Sequence, residues 1–279
     1  MKISIVTNTF GEYVRQNVAV QSWLHLKKLY DNVEIYDFQF YDEKNSKKIV
    51  YPQLTTHFWI DKSSQDILPN FTKKIPLVFE LLMLGSSLMV DEDYVILTNS
   101  DVILMPKIIE HILKDKPKAF SSSRLDIEEI HSLDPVLNKS IKPIRYECYG
   151  SDVFVFNVGW LMTHREAFRG DYLYGSWRWD NVYTALIKLL GDVEEPLGLH
   201  FPPYAFHCHH GLNSVMNEYP EKDWNSKVLD KNPLHKLAFN IHGEYLKNIL
   251  NRSDFPTFLA PAPNELQREI EYYSKFNIK

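Results

Sequence analysis

Hydrophobic positions in the first third of the chain alternate between short continuous runs and longer segments with a polar face. The short runs predict strands at residues 2–7, 33–38 and 57–60. Residues 13–30 predict a helix between the first two strands. Residues 75–88 are too long for an ordinary strand and have Pro76 near their start, which predicts a buried helix. This alternation predicts an α/β fold with a central, mainly parallel sheet flanked by helices.

The next apolar segment is interrupted by polar residues. In YVILTNSDVILMP, which begins at Tyr94, the first run is hydrophobic on successive positions, as expected of a central strand covered on both faces. Ligands of open α/β sheets gather beyond the carboxyl ends of such strands. Asn99, Ser100 and Asp101 are therefore expected at a ligand-binding edge, where a carboxylate can hold a divalent cation. The alternative is a turn in which these side chains bond nearby backbone amides.

The remaining pattern predicts a mixture of irregular and regular segments. Residues 121–145 are polar and contain Pro135 and Pro143, which predicts an irregular segment over a site. Strands are predicted at 153–157 and 160–162, a short helix from Thr163, a helix at 181–190 ending at Gly191, and an amphipathic helix at 264–276.

Composition narrows the function classes. The chain has 279 residues, 44% of them hydrophobic, which is enough for a large core. Its net charge is −5 and no run of Lys or Arg exceeds two residues, which argues against a nucleic-acid-binding face. Cys148 and Cys208 do not suggest a disulfide framework, so we expect a reducing, cytoplasmic location. Peripheral contact with a membrane and the oligomeric state are left open.

The segment GSWRWDN, Gly175 to Asn181, precedes the predicted helix at 181–190. An ionised Asp180 at a helix start could act as a general base towards a hydroxyl, or it could simply cap the helix. Trp177 and Trp179 could stack on sugar rings or could belong to the core.

Histidines are concentrated at His207, His209 and His210. On an extended segment His207 and His209 share a face, so they could add an imidazole to a cation already held by a carboxylate. The alternative is a structural role. Cys208 lacks the paired cysteine spacing of a structural zinc site.

The loop after the first predicted strand contains Thr7, Asn8, Thr9 and Phe10. Its small polar residues could bond a nucleoside beside Phe10, and no glycine-rich phosphate cradle is present. Lys73 and Lys74 could neutralise the charge of a bound phosphate, or they could be an ordinary solvent-exposed pair.

As an ordered set over residues 1–211, these features resemble GT-A fold nucleotide-sugar-dependent glycosyltransferases. The resemblance implies a nucleoside-diphosphate sugar as donor and Mn²⁺ or Mg²⁺ bound at Asp101 with His207 or His209. It implies Asp180 as the base of an inverting reaction. The sequence departs from the pattern at Asn99, where the family usually has an acid, and this puts the metal requirement in question.

The resemblance matches Thr7, Thr9 and Phe10 to the nucleoside-contacting loop of that class. Together with the residues considered above, the expected donor-binding and metal-associated set is Thr7, Asn8, Thr9, Phe10, Lys74, Asn99, Ser100 and Asp101. The expected acceptor-binding set is Asp152, Trp177 and Trp179. We expect one catalytic domain over residues 1–279, with a nucleotide-sugar half at 1–105, an acceptor half at 106–245 and a helical extension at 246–279.

The expected reaction is transfer of a hexose-like sugar to a hydroxyl of a glycan or glycolipid. A sugar-nucleotide nucleotidyltransferase is the first alternative, although the loop after the first strand offers only Gly11 and Arg15 for a triphosphate. A metal-dependent hydrolase and a catalytically inactive carbohydrate- or nucleotide-binding module are the others. The sequence leaves a retaining mechanism open.

Overall fold

The computed structural model describes most of the chain up to residue 250. The described residues are 1–11, 13–46, 49–68, 71, 73–138, 140–147, 151–175, 178–191, 204–208 and 220–250. The amphipathic helix predicted at 264–276 lies outside this part of the chain.

A six-stranded, mostly parallel sheet forms the centre of the molecule, in the order β3-β2-β1-β4-β9-β6. Its strands are β1 Ile3–Thr7, β2 Val33–Phe40, β3 Thr55–Ile60, β4 Tyr94–Thr98, β6 Ala119–Ser122 and β9 Val153–Asn157. The first four strands run parallel, and β9 runs antiparallel between β4 and β6. This architecture confirms the predicted α/β fold class.

A smaller four-stranded sheet, in the order β5-β10-β7-β8, lies beside the first. Its strands are β5 Val102–Leu104, β7 Arg124–Ile127, β8 Pro143–Glu147 and β10 Ala205–Cys208. The second apolar run of the segment beginning at Tyr94 therefore belongs to a different sheet from the first. Asn99, Ser100 and Asp101 form the connection between the two sheets.

Helices cover both faces of the central sheet. They are α1 Val14–Leu29, α2 Ser64–Ile67, α3 Val78–Ser87, α4 Pro106–Asp115, α5 Asp134–Leu137, α6 Val158–Phe168, α7 Trp179–Gly191, α8 Pro220–Lys231 and α9 Pro233–Leu250. In the part of the chain that the structure describes, no helix is both long enough and apolar enough to cross a bilayer.

Strand β4 contributes to the core on both of its faces. Val95 and Leu97 belong to the cluster that contains the buried residues of α3 and α7, whereas Tyr94 and Ile96 belong to the cluster that contains those of α1 and α4. This double burial confirms the central strand expected from its continuous apolar run.

Close packing of α3 on β1 fixes the relation between the helix layer and the sheet. A Cβ atom added to Gly85 would lie 2.5 Å from Cγ2 of Val6, so only glycine permits this approach.

The carboxyl ends of β1, β2, β3 and β4 meet at one edge of the sheet because these strands are parallel. Strand β9 begins at the same edge, where Val153 pairs with Thr98. Ser151 and Asp152, immediately before β9, therefore lie next to the residues that follow β4.

Three secondary-structure predictions are wrong. Residues 121–145 are not mainly irregular, since they include β7, α5 and part of β8. Residues 160–162 are helical, and α6 begins at Val158 rather than at Thr163. The cause of this earlier start is Asn157, whose side chain accepts a hydrogen bond from the amide of Trp160 and caps the helix.

Candidate functional site

The loop after β1 is fixed by a buried carboxylate on β2. Asp37 accepts hydrogen bonds from the backbone amide of Thr9 at 2.9 Å and from its hydroxyl at 2.8 Å. The side-chain amide of Gln39 also donates to Asp37, at 2.7 Å, and to the carbonyl of Thr9, at 3.1 Å. These bonds hold the loop in one conformation at the edge of the sheet.

A cleft of about 400 Å³ opens beside this loop. Its lining is mixed in chemistry, with two phenyl rings, an amide, a hydroxyl, an acid and an amine, from Asn8, Phe10, Phe40, Glu43, Ser46 and Lys74. Asn8 donates to the carbonyl of Phe38 at 2.6 Å, while its buried Oδ1 receives no hydrogen bond from the described residues. A ligand with an N–H or O–H group could satisfy that oxygen.

Lys74 sits in this cleft as part of an ion-pair group. Its ammonium lies 2.5 Å from a carboxylate oxygen of Asp42, 3.9 Å from Glu43 and 4.7 Å from the centre of the Phe40 ring. Two acids thus offset its charge, which reduces its capacity to bind a phosphate.

Tyr174 contacts the last residues of both β4 and β1. Its hydroxyl donates to the carbonyl of Thr98 and lies 3.4 Å from the hydroxyl of Thr7, which donates to it. Complete burial is the main cause that raises the pKa of Tyr174 well above its usual value, so it remains a donor at physiological pH.

A polar network extends from Asn99 across the start of β9 to β7. The side-chain amide of Asn99 donates to Oδ1 of Asp152 at 2.7 Å. The guanidinium of Arg124 donates to Oδ2 of Asp152 and, at 2.9 Å, to Oδ1 of Asp126. An acid at position 99 would place two carboxylates against each other, whereas the amide of Asn99 can donate to Asp152.

His207 lies between two carboxylates. Its Nδ1 is 3.0 Å from Oδ1 of Asp126 and its Nε2 is 3.3 Å from Oδ2 of Asp101. Burial is the largest influence on its pKa and lowers it, as does Arg124. The attraction of Asp101 and the hydrogen bonds to both carboxylates outweigh these effects, and the pKa of His207 lies above its usual value.

Asp101 and His207 fit a divalent cation as a pair of ligands. Two ligand atoms, each about 2.1 Å from one ion, are separated by roughly 3.0–3.5 Å in octahedral or tetrahedral coordination. The observed separation of 3.3 Å lies within this interval. Among the described residues no third His, Cys, Asp or Glu completes a cluster, so further ligands would have to come from elsewhere, such as a diphosphate.

Asp180 lies in the first turn of α7. Thr184, one turn later on the same helix face, donates to the hydroxyl of Ser151 at 3.0 Å. This bond directs the start of α7 towards the edge of the sheet where Asp152 and Asn99 lie. Just before the helix, Gly175 and Arg178 have positive φ angles of 69° and 91°, and a non-glycine residue in that region is conformationally strained.

Several predicted site residues occupy places that change their interpretation. Thr7 is fully buried within β1 and Thr9 is committed to Asp37, so both support the loop rather than contact a nucleoside directly. Trp179 is 2% exposed and packs against Phe154, with ring centres 4.9 Å apart, so its predicted stacking on an acceptor sugar is wrong.

The predicted roles of Phe10, Ser100, Asp152, Trp177 and His209 remain predictions. Phe10 is exposed and lines the cleft, while Ser100 is buried next to Asp101. Asp152 lies at the site but is bonded to Asn99 and Arg124. Trp177 and His209 lie outside the described residues.

Arg124 and Asp126 were not predicted from the sequence. Both occur in the strand RLDI, on alternate positions and therefore on one face of β7. Charged residues repeated at this spacing in a strand were the available signal for a functional face.

Comparison with known proteins gives no family match, since neither a family model nor a curated protein matches the sequence. Solved structures do match. Residues 1–349 of Staphylococcus aureus TarS are 10% identical, with 99% of this chain and 80% of that chain covered and a TM-score of 0.42.

Two further matches belong to differently named enzymes. Galactosyltransferase LgtC, in complex with donor and acceptor sugar analogs, is 12% identical over 96% of this chain and 100% of that chain, with a TM-score of 0.34. A 4-diphosphocytidyl-2C-methyl-D-erythritol synthase is 9% identical over 82% of this chain and 98% of that chain, with a TM-score of 0.36. The neighbours thus include a glycosyltransferase, but these identities and TM-scores are too low to assign an activity.

Proposed function

We propose that this protein transfers a sugar from a nucleoside-diphosphate sugar to an acceptor hydroxyl. The observation that carries the proposal is the pairing of Asp101 with His207 at the carboxyl edge of the sheet, with their facing atoms 3.3 Å apart. Such an edge is where open α/β sheets bind ligands, and the pair offers one hard oxygen and one imidazole nitrogen to a divalent cation.

The nucleoside would occupy the cleft beside the loop after β1. The exposed ring of Phe10 provides apolar surface for a base. Oδ1 of Asn8 is an acceptor for a donor of that base or for a ribose hydroxyl. The cleft is within the size range of small-molecule sites. The hydrogen bonds that Thr9 donates to Asp37 hold the loop beside this cleft in place.

The diphosphate would extend from the cleft towards Asp101. Mn²⁺ or Mg²⁺, when bound by Asp101 and His207, supplies charge stabilisation for a departing diphosphate. Lys74 is a weaker candidate for this role because Asp42 and Glu43 already neutralise it.

Asp180 is the proposed general base. It lies in the first turn of a helix, where the helix dipole favours an ionised carboxylate. Asp180 would take the proton of the acceptor hydroxyl as its oxygen bonds to the anomeric carbon and the bond from that carbon to the diphosphate oxygen breaks. Because the oxygen attacks from the face opposite the departing nucleoside diphosphate, this single displacement would invert the configuration. The acceptor, which we take to be a glycan or glycolipid, would approach past the start of α7.

A ligand screen by thermal unfolding tests the proposal. We expect one nucleoside diphosphate and its sugar conjugates to raise the melting temperature, and the rise to increase with Mn²⁺. Nucleoside triphosphates are included in the screen to distinguish sugar transfer from nucleotidyl transfer. For a nucleotidyltransferase, a triphosphate should give the largest rise in melting temperature. If no nucleotide stabilises the protein with or without Mn²⁺, the proposal is wrong.

His207→Gln and Asp115→Asn provide the matched comparison. His207→Gln should remove the part of the thermal rise that depends on Mn²⁺. Asp115 forms a separate His–carboxylate pair, 2.8 Å from Nδ1 of His111 on the surface of α4, and its substitution should leave the response unchanged.

A further inference from the structure

A closed series of polar contacts begins and ends in the triplet Asn99–Ser100–Asp101. The members of the series, in order of contact, are Asn99, Asp152, Arg124, Asp126, His207 and Asp101. Only one of these contacts, between Nε2 of His207 and Oδ2 of Asp101, involves the two proposed cation ligands. The other contacts are on the far side of the two ligands from the proposed cation. They affect the orientation of the His207 ring and the position of its hydrogen.

Asp126 is held directly beside His207 by the smaller sheet. Strands β7 and β10 are parallel neighbours, and Asp126 is the register partner of His207. The side chain of Asp126 is fully buried, and its Oδ1 receives the guanidinium Nε of Arg124 at 2.9 Å. The carboxylate therefore has a fixed position and a cationic partner that supports its charge.

This geometry favours a hydrogen on Nδ1 of His207 over one on Nε2. A carboxylate paired with a guanidinium can only accept hydrogen bonds, and its Oδ1 lies 3.0 Å from Nδ1 of His207. Oδ2 of Asp101 is also an acceptor, but it lies farther from the ring, at 3.3 Å from Nε2, and its side chain is 32% exposed. A neutral ring can donate to only one of the two carboxylates, and the closer, fully buried Asp126 favours the hydrogen on Nδ1. The lone pair of that ring then belongs to Nε2, the nitrogen that faces Asp101.

We propose that Asp126 is the positioning residue of the cation site, which fixes His207 in the Nδ1–H form so that Nε2 and Asp101 face one divalent cation together. Arg124 assists by holding Asp126 and Asp152 in place. This inference rests on the proposed function, in which Asp101 and His207 bind the cation. A carboxylate behind a ligating histidine both orients the ring and increases its basicity, and its removal weakens metal affinity by about 10- to 100-fold.

The first test observes the imidazole itself in the protein without added metal. Nitrogen-15 NMR above the pH at which the His207 ring becomes neutral, which the same spectra report, should show the Nδ1–H form, assigned by the loss of its signals in His207→Gln. Asp126→Ala should shift the ring towards the Nε2–H form. A wild-type ring in the Nε2–H form would overturn the inference whether or not the protein binds a cation.

The second test measures Mn²⁺ affinity from the electron paramagnetic resonance signal of the free ion. Asp126→Asn retains an accepting oxygen but loses the charge, so it should weaken Mn²⁺ binding about 10-fold, and Asp126→Ala should weaken it further. Asp93→Asn is the matched control for loss of a buried carboxylate, because Asp93 accepts from the amide of Lys2 at the opposite edge of the sheet. It should leave Mn²⁺ affinity unchanged.

The two possible failures give different results. If the wild-type protein binds no Mn²⁺, the cation role in the proposed function is wrong and the positioning role fails with it. If the wild-type protein binds Mn²⁺ and Asp126→Asn binds it equally well, the positioning role alone is wrong.

Discussion

Oδ2 of Asp101 lies 3.3 Å from Nε2 of His207, although the two residues are 106 positions apart in the chain. The first belongs to the connection between β4 and β5, and the second belongs to β10, which pairs with β5. This antiparallel pairing, in which His207 is the register partner of Val102, brings the imidazole next to the residue that precedes β5. The contact is therefore built into the smaller sheet.

If the two side chains share one cation, the effects of substituting them on the free energy of Mn²⁺ binding should not be additive. Asp101→Ala and His207→Ala should each weaken Mn²⁺ binding by at least about 10-fold, since each removes a ligand itself, a larger change than loss of a residue that only orients a ligand. The double variant should lose much less than the product of the two effects, because the site is already incomplete after the first change. Titration calorimetry measures all three affinities, and fully additive losses would argue against a shared ion.

Asp180→Asn should reduce sugar transfer by about 10²- to 10⁴-fold while nucleotide binding persists, because the amide cannot accept the proton of the acceptor hydroxyl. The measurement is an initial rate of transfer together with the dissociation constant of the nucleoside diphosphate. Asp171→Asn, an exposed acid shortly before the same helix, should change neither value. Transfer at the wild-type rate in Asp180→Asn would remove Asp180 from the role of base.

The amide of Asn99 and the carboxylate of Asp152 form a complementary pair at 2.7 Å. Asn99→Asp should destabilise the protein by about 1–3 kcal/mol in its free energy of unfolding, because it replaces a partly buried hydrogen bond with two facing carboxylates. Asp152→Asn in the same chain restores a donor and an acceptor, so the double variant should recover part of this loss. Urea unfolding measures the free energies, and absence of any recovery would show that the pair is not coupled.

Protonation of His235 should weaken the docking of α9 in mild acid. Its Nε2 donates to the carbonyl of Ala167 at 2.8 Å, so Nδ1 accepts from the hydroxyl of Tyr172 at 3.0 Å. Burial lowers the pKa of His235 more than the Ala167 bond raises it. The folded pKa therefore lies below the unfolded value of about 6.5.

The sign of the pH effect follows from this order. The stability that neutral His235 contributes is present above about pH 6.5 and is lost as the pH falls through that value towards the folded pKa. His235→Gln, which keeps a donor for Ala167 but does not titrate, should show a smaller loss of unfolding free energy between about pH 6.5 and pH 5. An identical loss in both proteins would contradict the assignment. Tyr172 stays protonated throughout, since burial raises its pKa well above the usual value.

Most of the central sheet could be predicted from the sequence. Strands β1, β2, β4 and β9 and helices α1, α3 and α7 follow from local hydrophobic patterns, and β4 in particular is apolar on both faces. The start of α6 could not be placed, because the cap is the side chain of Asn157 at the end of a strand. The capping pattern at Thr163 does not mark a helix start, because Thr163 lies inside α6.

From the sequence, Asp101 could be placed directly after a central strand and Asp180 directly before a helix, which in the structure begins one residue before Asp180, at Trp179. Those positions depend on residues a few places away, through burial and helix capping. The contacts of Arg124, Asp126 and Asp152 around Asp101 and His207, and the burial of Trp179, could not be predicted from the sequence and were found in the three-dimensional structure. These outcomes depend on which strands are neighbours and on their register, and hydrophobic periodicity records the buried face of a strand but not the identity of its partner.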